Sequence, residues 1–386
     1  MQPMTWNQQV VKRNNKSLVL QIIMEQEPLS RADIAQVTGL NKATVSSMVN
    51  ELLEEDLVYE SGPGESSGGR RPVLLHFNNV AGYSIGIDIG VNYILSILTD
   101  LKGEIHIKRS QSVQDASYSV VINQVKTSIR SLIEEMPNSR YGIVGIGIGV
   151  PGLVDHEGIV LLAPNLGWKN RNLKKEIEEE FKLPVCIENE ANAGAYSEKQ
   201  FGPHQNIQDF IYVSAGIGLG VGIILNGDLY RGKSGFSGEM GHMILDINGK
   251  PCTCGSQGCW EAYASEHALL KAANDKNATL ESLIQLAEEN DEATLNLFEE
   301  IGCYLGYGIN NIINTFNPEQ VTIGNRLAMA KKWLEAPIRK TIEAHALPLH
   351  QNDLTFHFSD LSIYSSALGV SSFAVENFIK EEIQNV

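Results

Sequence analysis

Two glycine-rich β-patterns, far apart in the chain, constrain its fold most. The first is YSIGIDIGVNYILSILTDLKGEI at residues 83–105; the second is FIYVSAGIGLGVGIILNGDLYRG at 210–232. Each reads as a β-run, a tight glycine turn, a second β-run and a polar turn. Such a repeat predicts a duplicated lobe, and so a two-lobed α/β body, rather than one dinucleotide-binding unit. Between the repeats, YGIVGIGIGVPGLVDHEGIV reads as a buried strand, a turn at Pro151-Gly152 and a hairpin. Val185-Cys186-Ile187 is a short buried strand, and Glu188-Asn189-Glu190 at its end opens an alanine-rich helix. Strand ends facing a cleft are where open α/β sheets place ligand groups. Asn189 and Glu190 are therefore candidate binding residues, although a lone Glu at a helix start also serves as a dipole-stabilising cap.

The first 77 residues follow a different pattern. Residues 7–26 predict a helix with Val10, Val11, Leu18, Ile22 and Ile23 as its apolar side, ended by Pro28. Ser30 can cap a short helix, RADIAQV, with Ile34 and Val37 facing inward. A turn at Thr38-Gly39-Leu40 leads to Asn41, which caps a third helix with Val45, Val49 and Leu52 at helical spacing. Helix, glycine turn, helix is a DNA-reading pattern. The first turns of the third helix offer Lys42, Ala43, Thr44, Ser47 and Asn50, free of acid, while Glu51, Glu54, Glu55 and Asp56 come later. A recognition helix enters the major groove N-terminus first, so this polarity suits it. Lys42, Thr44, Ser47 and Asn50 are the candidate DNA contacts. Residues 57–60 and 72–77 then read as a β-pair around SGPGESSGGRR, a wing whose Arg70 and Arg71 could reach phosphate or a narrow minor groove.

A third constellation is GEMGHMILDINGKPCTCGSQGCWE, in which His242 precedes Cys252, Cys254 and Cys259. Three thiolates and an imidazole make a tetrahedral donor set that suits a structural zinc and leaves no open position for catalysis. Glu239 and Glu261 bracket this knot. Buried thiols beside an unrelated histidine would give the same string, but a close cysteine cluster in a chain without an export signal is more often a metal site. That missing signal makes a cytoplasmic location the expectation. A net charge of −16 argues against a protein that coats nucleic acid, yet the first 24 residues carry Lys12, Arg13 and Lys16 and no acid.

GEMGH followed by CTCGSQGCWE resembles the second signature of the ROK family, which groups sugar kinases with sugar-responsive repressors. The resemblance runs from about residue 80 to the end and takes in ENEANAGAYSE and APNLGW. It implies the two-lobed fold shared by sugar kinases and actin, with lobes at 78–200 (completed by a terminal helix, 370–386) and 201–369 behind a winged helix-turn-helix at 1–77. It implies zinc on His242, Cys252, Cys254 and Cys259, and sugar on Asn189, Glu190, Glu239, His242 and Glu261. His242 would then serve both, with one ring nitrogen for each. ROK kinases lack the winged segment; ROK repressors carry it.

Several departures argue against kinase activity. Where the kinases place a proton-abstracting Asp, this chain has Glu190, and a carboxylate displaced by about 1 Å can cost on the order of a hundredfold in rate. Their first phosphate turn, DxGGT, is here Asp88-Ile89-Gly90-Val91-Asn92, and their second, TGxGGG, is Ala215-Gly216-Ile217-Gly218-Leu219-Gly220. The Leu219 side chain is expected to block phosphate approach. The expected protein is thus a non-enzymatic, homodimeric repressor of a palindromic operator. The runs GLNKATVSSMVNELLEEDLVYE, SSGGRRPVLLHFN and YRGKSGFSGEMGHM are similar to the xylose-responsive branch of the family, which implies D-xylose as inducer and xylose-utilisation genes as targets. One CH₂OH group is worth only about 1–3 kcal/mol of discrimination, so glucose remains a competitor. A repressor answering to another sugar, or a hexose kinase with an added regulator domain, stays open.

Overall fold

The computed structural model describes residues 8–63, 72–203, 206–352 and 354–384. Arg70 and Arg71 lie outside the described residues. Helices Gln8–Gln26, Arg31–Thr38 and Lys42–Glu54 precede the strands Val58–Pro63 and Val73–Phe77. Those strands pair antiparallel, and the short strand Leu29–Ser30 joins the sheet beside Val73–Phe77. Ser30 accepts from the Asp33 N–H while the Asp33 carboxylate takes the Ser30 N–H, so both helix-start donors are satisfied. Asn41 caps the third helix through the Thr44 N–H at 2.8 Å.

Two expectations fail in this unit. Val10, Val11 and Leu18 are exposed; Ile23 is buried as expected, but its buried companions are Lys16, Val19 and Leu20. That stripe has helical spacing, but a lysine interrupts its apolar character. The buried stem of Lys16 packs inward while its ammonium meets Glu55 at 2.5 Å. Val37 is 50% exposed because it lies in the last turn of an eight-residue helix, past the core that covers Ile34.

The body holds two five-stranded sheets of matching topology. In the first, the order is Val185–Asn189, Ile143–Val150, Tyr83–Ile89, Tyr93–Asp100, Ile105–Ser112. In the second it is Thr355–Phe358, Gln320–Gly324, Phe210–Ala215, Leu219–Leu225, Asp228–Leu229. In both, the strand that opens the glycine repeat pairs antiparallel with its successor and parallel with a later strand. The central strands read as continuous apolar runs because both faces are covered.

Two helices lie between the sheets and against each other: Glu190–Phe201 on the second sheet and Ser365–Gln384 on the first. The terminal helix can sit this close because Gly147 faces it. A Cβ there would come within 2.0 Å of the Val370 carbonyl. The far end of the same helix leaves the body, and Val375, Phe378 and Ile383 join the core of the N-terminal unit. No described helix is long and apolar enough to cross a membrane.

Candidate functional site

The cleft between the sheets collects the polar residues that the sequence singles out. Asn189, Glu190, Glu239, His242 and Glu261 line one pocket with Pro151, Gly152 and Asn165. Strand Val185–Asn189 delivers the first two at its carboxyl end, where the next helix begins. The Asn189 side-chain oxygen caps that helix, accepting from the Ala191 and Asn192 N–H groups, and its amide donates to the Gly152 carbonyl at 2.9 Å. Asn189 is thereby locked in orientation, with one N–H still unassigned.

Glu190 accepts from the Ser214 hydroxyl at 3.2 Å and from the Asn325 amide at 3.4 Å. The protein packed around it raises its pKa to about 8, and the Asp88, Glu261 and Glu239 charges add to the rise against the Ser214 bond. Asp88 is itself buried, bonded by the Tyr93 hydroxyl at 2.7 Å and the Ser366 hydroxyl at 2.8 Å. Burial pushes it up to about 6. Glu261 accepts the Leu219 N–H at 2.9 Å.

Sequence reasoning missed Tyr93, Ser214, Asn325 and Ser366. Only the placement of Asn325 directly after a buried strand gave any signal. It also misplaced Leu219, whose side chain is buried in the core of the second lobe rather than standing in the turn. An alternating strand that starts at Leu219 sends that side chain inward.

The knot beside the cleft gathers His242, Cys252, Cys254 and Cys259, with one donor atom of each within 4.8 Å of the others. Cys254 and Cys259 sulfurs are 3.8 Å apart, and Cys252 Sγ lies 3.6 Å from His242 Nδ1. A tetrahedron with Zn–S near 2.3 Å and Zn–N near 2.05 Å has edges of about 3.8 and 3.6 Å, so the donor set fits zinc. The other ring nitrogen, Nε2, faces the Glu239 carboxylate at 3.8 Å. The loop closes only because Gly258 (φ 74°) brings its backbone onto Asp246, where a Cβ would stand 1.7 Å from the carbonyl oxygen. An ion held here would fix the ring of His242 and the loop that leads to Glu261.

On the N-terminal unit, Lys42, Ser47 and Asn50 are exposed and Thr44 is half-buried on the third helix. Glu51 and Glu55 are drawn toward the first helix by Lys12, at 3.1 Å, and Lys16. The early turns themselves carry no acid. Arg31, which sequence reasoning passed over, reaches Asn50 at 3.3 Å and Glu60 at 2.8 Å.

The chain belongs to the ROK family, whose profile matches residues 84–377, and carries a MarR family match over residues 11–71. A ROK sugar-kinase-like module behind a winged-helix reader is the class of protein these features define. It is 47% identical to the xylose repressor of Bacillus spizizenii, over 97% of this chain and 98% of that one. The crystal structure of a ROK family transcriptional regulator homologous to the E. coli MLC protein superposes with a TM-score of 0.79 at 28% identity, covering 97% of this chain and 99% of the other. A ROK glucokinase from Streptomyces griseus, in complex with glucose and AMPPNP, matches at TM-score 0.70 and 29% identity. It covers 76% of this chain and 100% of its own. A DNA-reading domain and a sugar-responsive repressor are thereby supported.

Proposed function

We infer that this chain represses xylose-utilisation genes and leaves their operator when D-xylose enters the cleft. The observation that carries the reading is the union, in one chain, of an acid-free recognition face and a polar cleft built from Asn189, Glu190, Glu239, His242 and Glu261. Similarity to the xylose repressor of Bacillus spizizenii supports xylose as the sugar and repression as the activity. Three units do the work: the reader at 1–77, a lobe at 78–200 closed by the terminal helix, and a lobe at 201–369 with the zinc knot. The protein is cytoplasmic and acts as a homodimer, because one recognition helix covers half of a palindromic site. Sugar relieves repression by binding the non-DNA-competent form better.

No phosphoryl transfer is assigned to the cleft. The Tyr93 ring fills the space beside Gly90 in the first glycine turn, where a Cβ would meet it at 2.3 Å. The Asn325 amide lies against Gly216 of the second, 3.0 Å from where a Cβ would stand. Tyr93 and Asn325 thus crowd the two glycine turns that line the cleft, and Glu190 stands where the resemblance places the kinases' Asp.

The test is fluorescence anisotropy of a labelled fragment from upstream of xylose genes. Tight binding released by xylose, and not by glucose, supports the reading. ATP turnover with any sugar would overturn it. In the same assay, Lys42→Ala should weaken all DNA about equally and lower the salt slope by about one unit, the mark of a phosphate contact. Asn50→Ala, lost from a base edge, should cost about 1–3 kcal/mol on the operator and little on unrelated DNA. Unchanged operator affinity in both would move the interface elsewhere.

A further inference from the structure

The recognition helix Lys42–Glu54 ends without a basic residue in its last turn. The Glu55, Asp56 and Leu57 N–H groups donate to the Glu51, Leu53 and Leu52 carbonyls, which leaves the Glu54 and Glu55 carbonyls at the negative end of the helix dipole to partners from outside. The body supplies what the helix lacks. Arg140 donates through Nη1 to the Glu54 carbonyl at 2.6 Å, and the Tyr141 hydroxyl donates to the Glu55 carbonyl at 2.8 Å. Tyr141 is braced in turn by an edge contact with Phe378 of the terminal helix, ring centroids 4.9 Å apart.

Arg140 and Tyr141 precede the strand Ile143–Val150 with only Gly142 (φ 64°) between, and all of the strand's residues are buried. That strand is held on both sides by parallel neighbours and capped by the terminal helix. A strand of this length spans about 25 Å. Its other end runs directly into Pro151 and Gly152, which line the cleft, and the Gly152 carbonyl takes the Asn189 amide. One fully packed strand therefore has the carboxyl end of the DNA-reading helix near one tip and the cleft at the other.

We propose that Arg140 and Tyr141 form the latch through which the strand Ile143–Val150 transmits cleft occupancy to the recognition helix. This rests on the reading of the cleft as a sugar site. A ligand that shifts the Pro151-Gly152 turn moves a rigid element as a unit, because its packed neighbours allow discrete positions rather than continuous bending. The latch converts that shift into a reorientation of the helix, held by two hydrogen bonds that a side-chain change can remove. Spatial connection alone does not establish coupling, so the quantity to measure is the coupling itself.

The variant Arg140→Met with Tyr141→Phe removes both bonds and keeps the bulk of both side chains. Xylose affinity is read by calorimetry on the full-length chain, and operator affinity by anisotropy with and without saturating xylose. The expected result is xylose affinity within about twofold of the parent and a ratio of operator Kd values that falls at least about fivefold toward unity. Arg140→Lys with Tyr141 intact keeps a cation at the helix end and retains most of the ratio, which mere loosening of the domain contact would not do. A double variant whose ratio stays within about twofold of the parent overturns the inference alone. A parent chain whose operator binding ignores every sugar overturns the reading of the cleft and this inference with it.

Discussion

Replacing Cys254 by serine is expected to empty the knot of metal and to silence the sugar response while operator binding persists. Bound zinc should fall from about one per chain to under about 0.1, since removing one of four donors from a structural site forfeits much of a binding free energy of roughly 10–16 kcal/mol. Three thiols lie together in this loop, and a bound cation would let them stay close as thiolates. Burial already pushes the Cys259 thiol up to about 12, so thiolates here need a positive partner. Without an ion, the His242 ring keeps only its contacts with Cys252 on one side and Glu239 on the other. Xylose affinity should then drop at least about tenfold, the usual scale for losing the support behind a ligating residue. Metal content by atomic absorption and xylose affinity by calorimetry decide the matter. A metal-free variant that still answers to xylose would remove the knot from the site.

The knot was legible because cysteine spacing is local information. Four donors within a short stretch, with glycines between them, admit few other purposes. The duplicated body was legible for the same reason: each glycine repeat carries its own strand-turn-strand signal, and the two sheets repeat one topology. The capping of the short helices by Ser30 and Asn41 also follows from a few adjacent residues. What sequence reasoning lost depends on distant contacts. Lys16 reads as a surface charge until Glu55, on another helix, gives its ammonium a partner and turns its stem into core. The inward turn of Leu219 follows from the strand that starts there, and a motif comparison takes no account of strand direction. Asp88 is held by Ser366, far along the chain, and Glu190 by Asn325 from the second lobe. No window of sequence contains both members of either pair. Composition likewise gave no hint that the effector module supplies the positive end-cap of the DNA-reading helix.

Glu190→Ala should abolish the sugar response at little cost to operator binding. If the cleft hydrogen-bonds sugar hydroxyls through this carboxyl, its removal costs the ligand that contact, and such a loss commonly exceeds a hundredfold in affinity, about 2.7 kcal/mol. Xylose titrations should show at least that loss while operator Kd stays within about twofold. A normal response would place the sugar elsewhere. Glu190→Gln tests the charge separately. Burial, with Asp88 second, raises the Glu190 pKa from the ordinary 4.5 to about 8. Below 4.5 the carboxyl is protonated in folded and unfolded chains alike. Between the two values the unfolded chain releases a proton that the folded cleft retains, so stability falls as pH rises and levels off above about 8. The penalty is on the order of a few kcal/mol, shared with Asp88, whose own rise to about 6 adds slope at the acid end. Glutamine carries no such proton. From pH 5 to pH 8.5 the parent's Tm should therefore fall relative to that of the Gln variant by about 5 °C or more. Saturating xylose should narrow the gap if its hydroxyls satisfy the carboxyl. Parallel Tm curves for parent and variant would mean that Glu190 is ionised throughout. The cleft would then meet the sugar with a carboxylate that only accepts hydrogen bonds, rather than with a neutral acid that both donates and accepts.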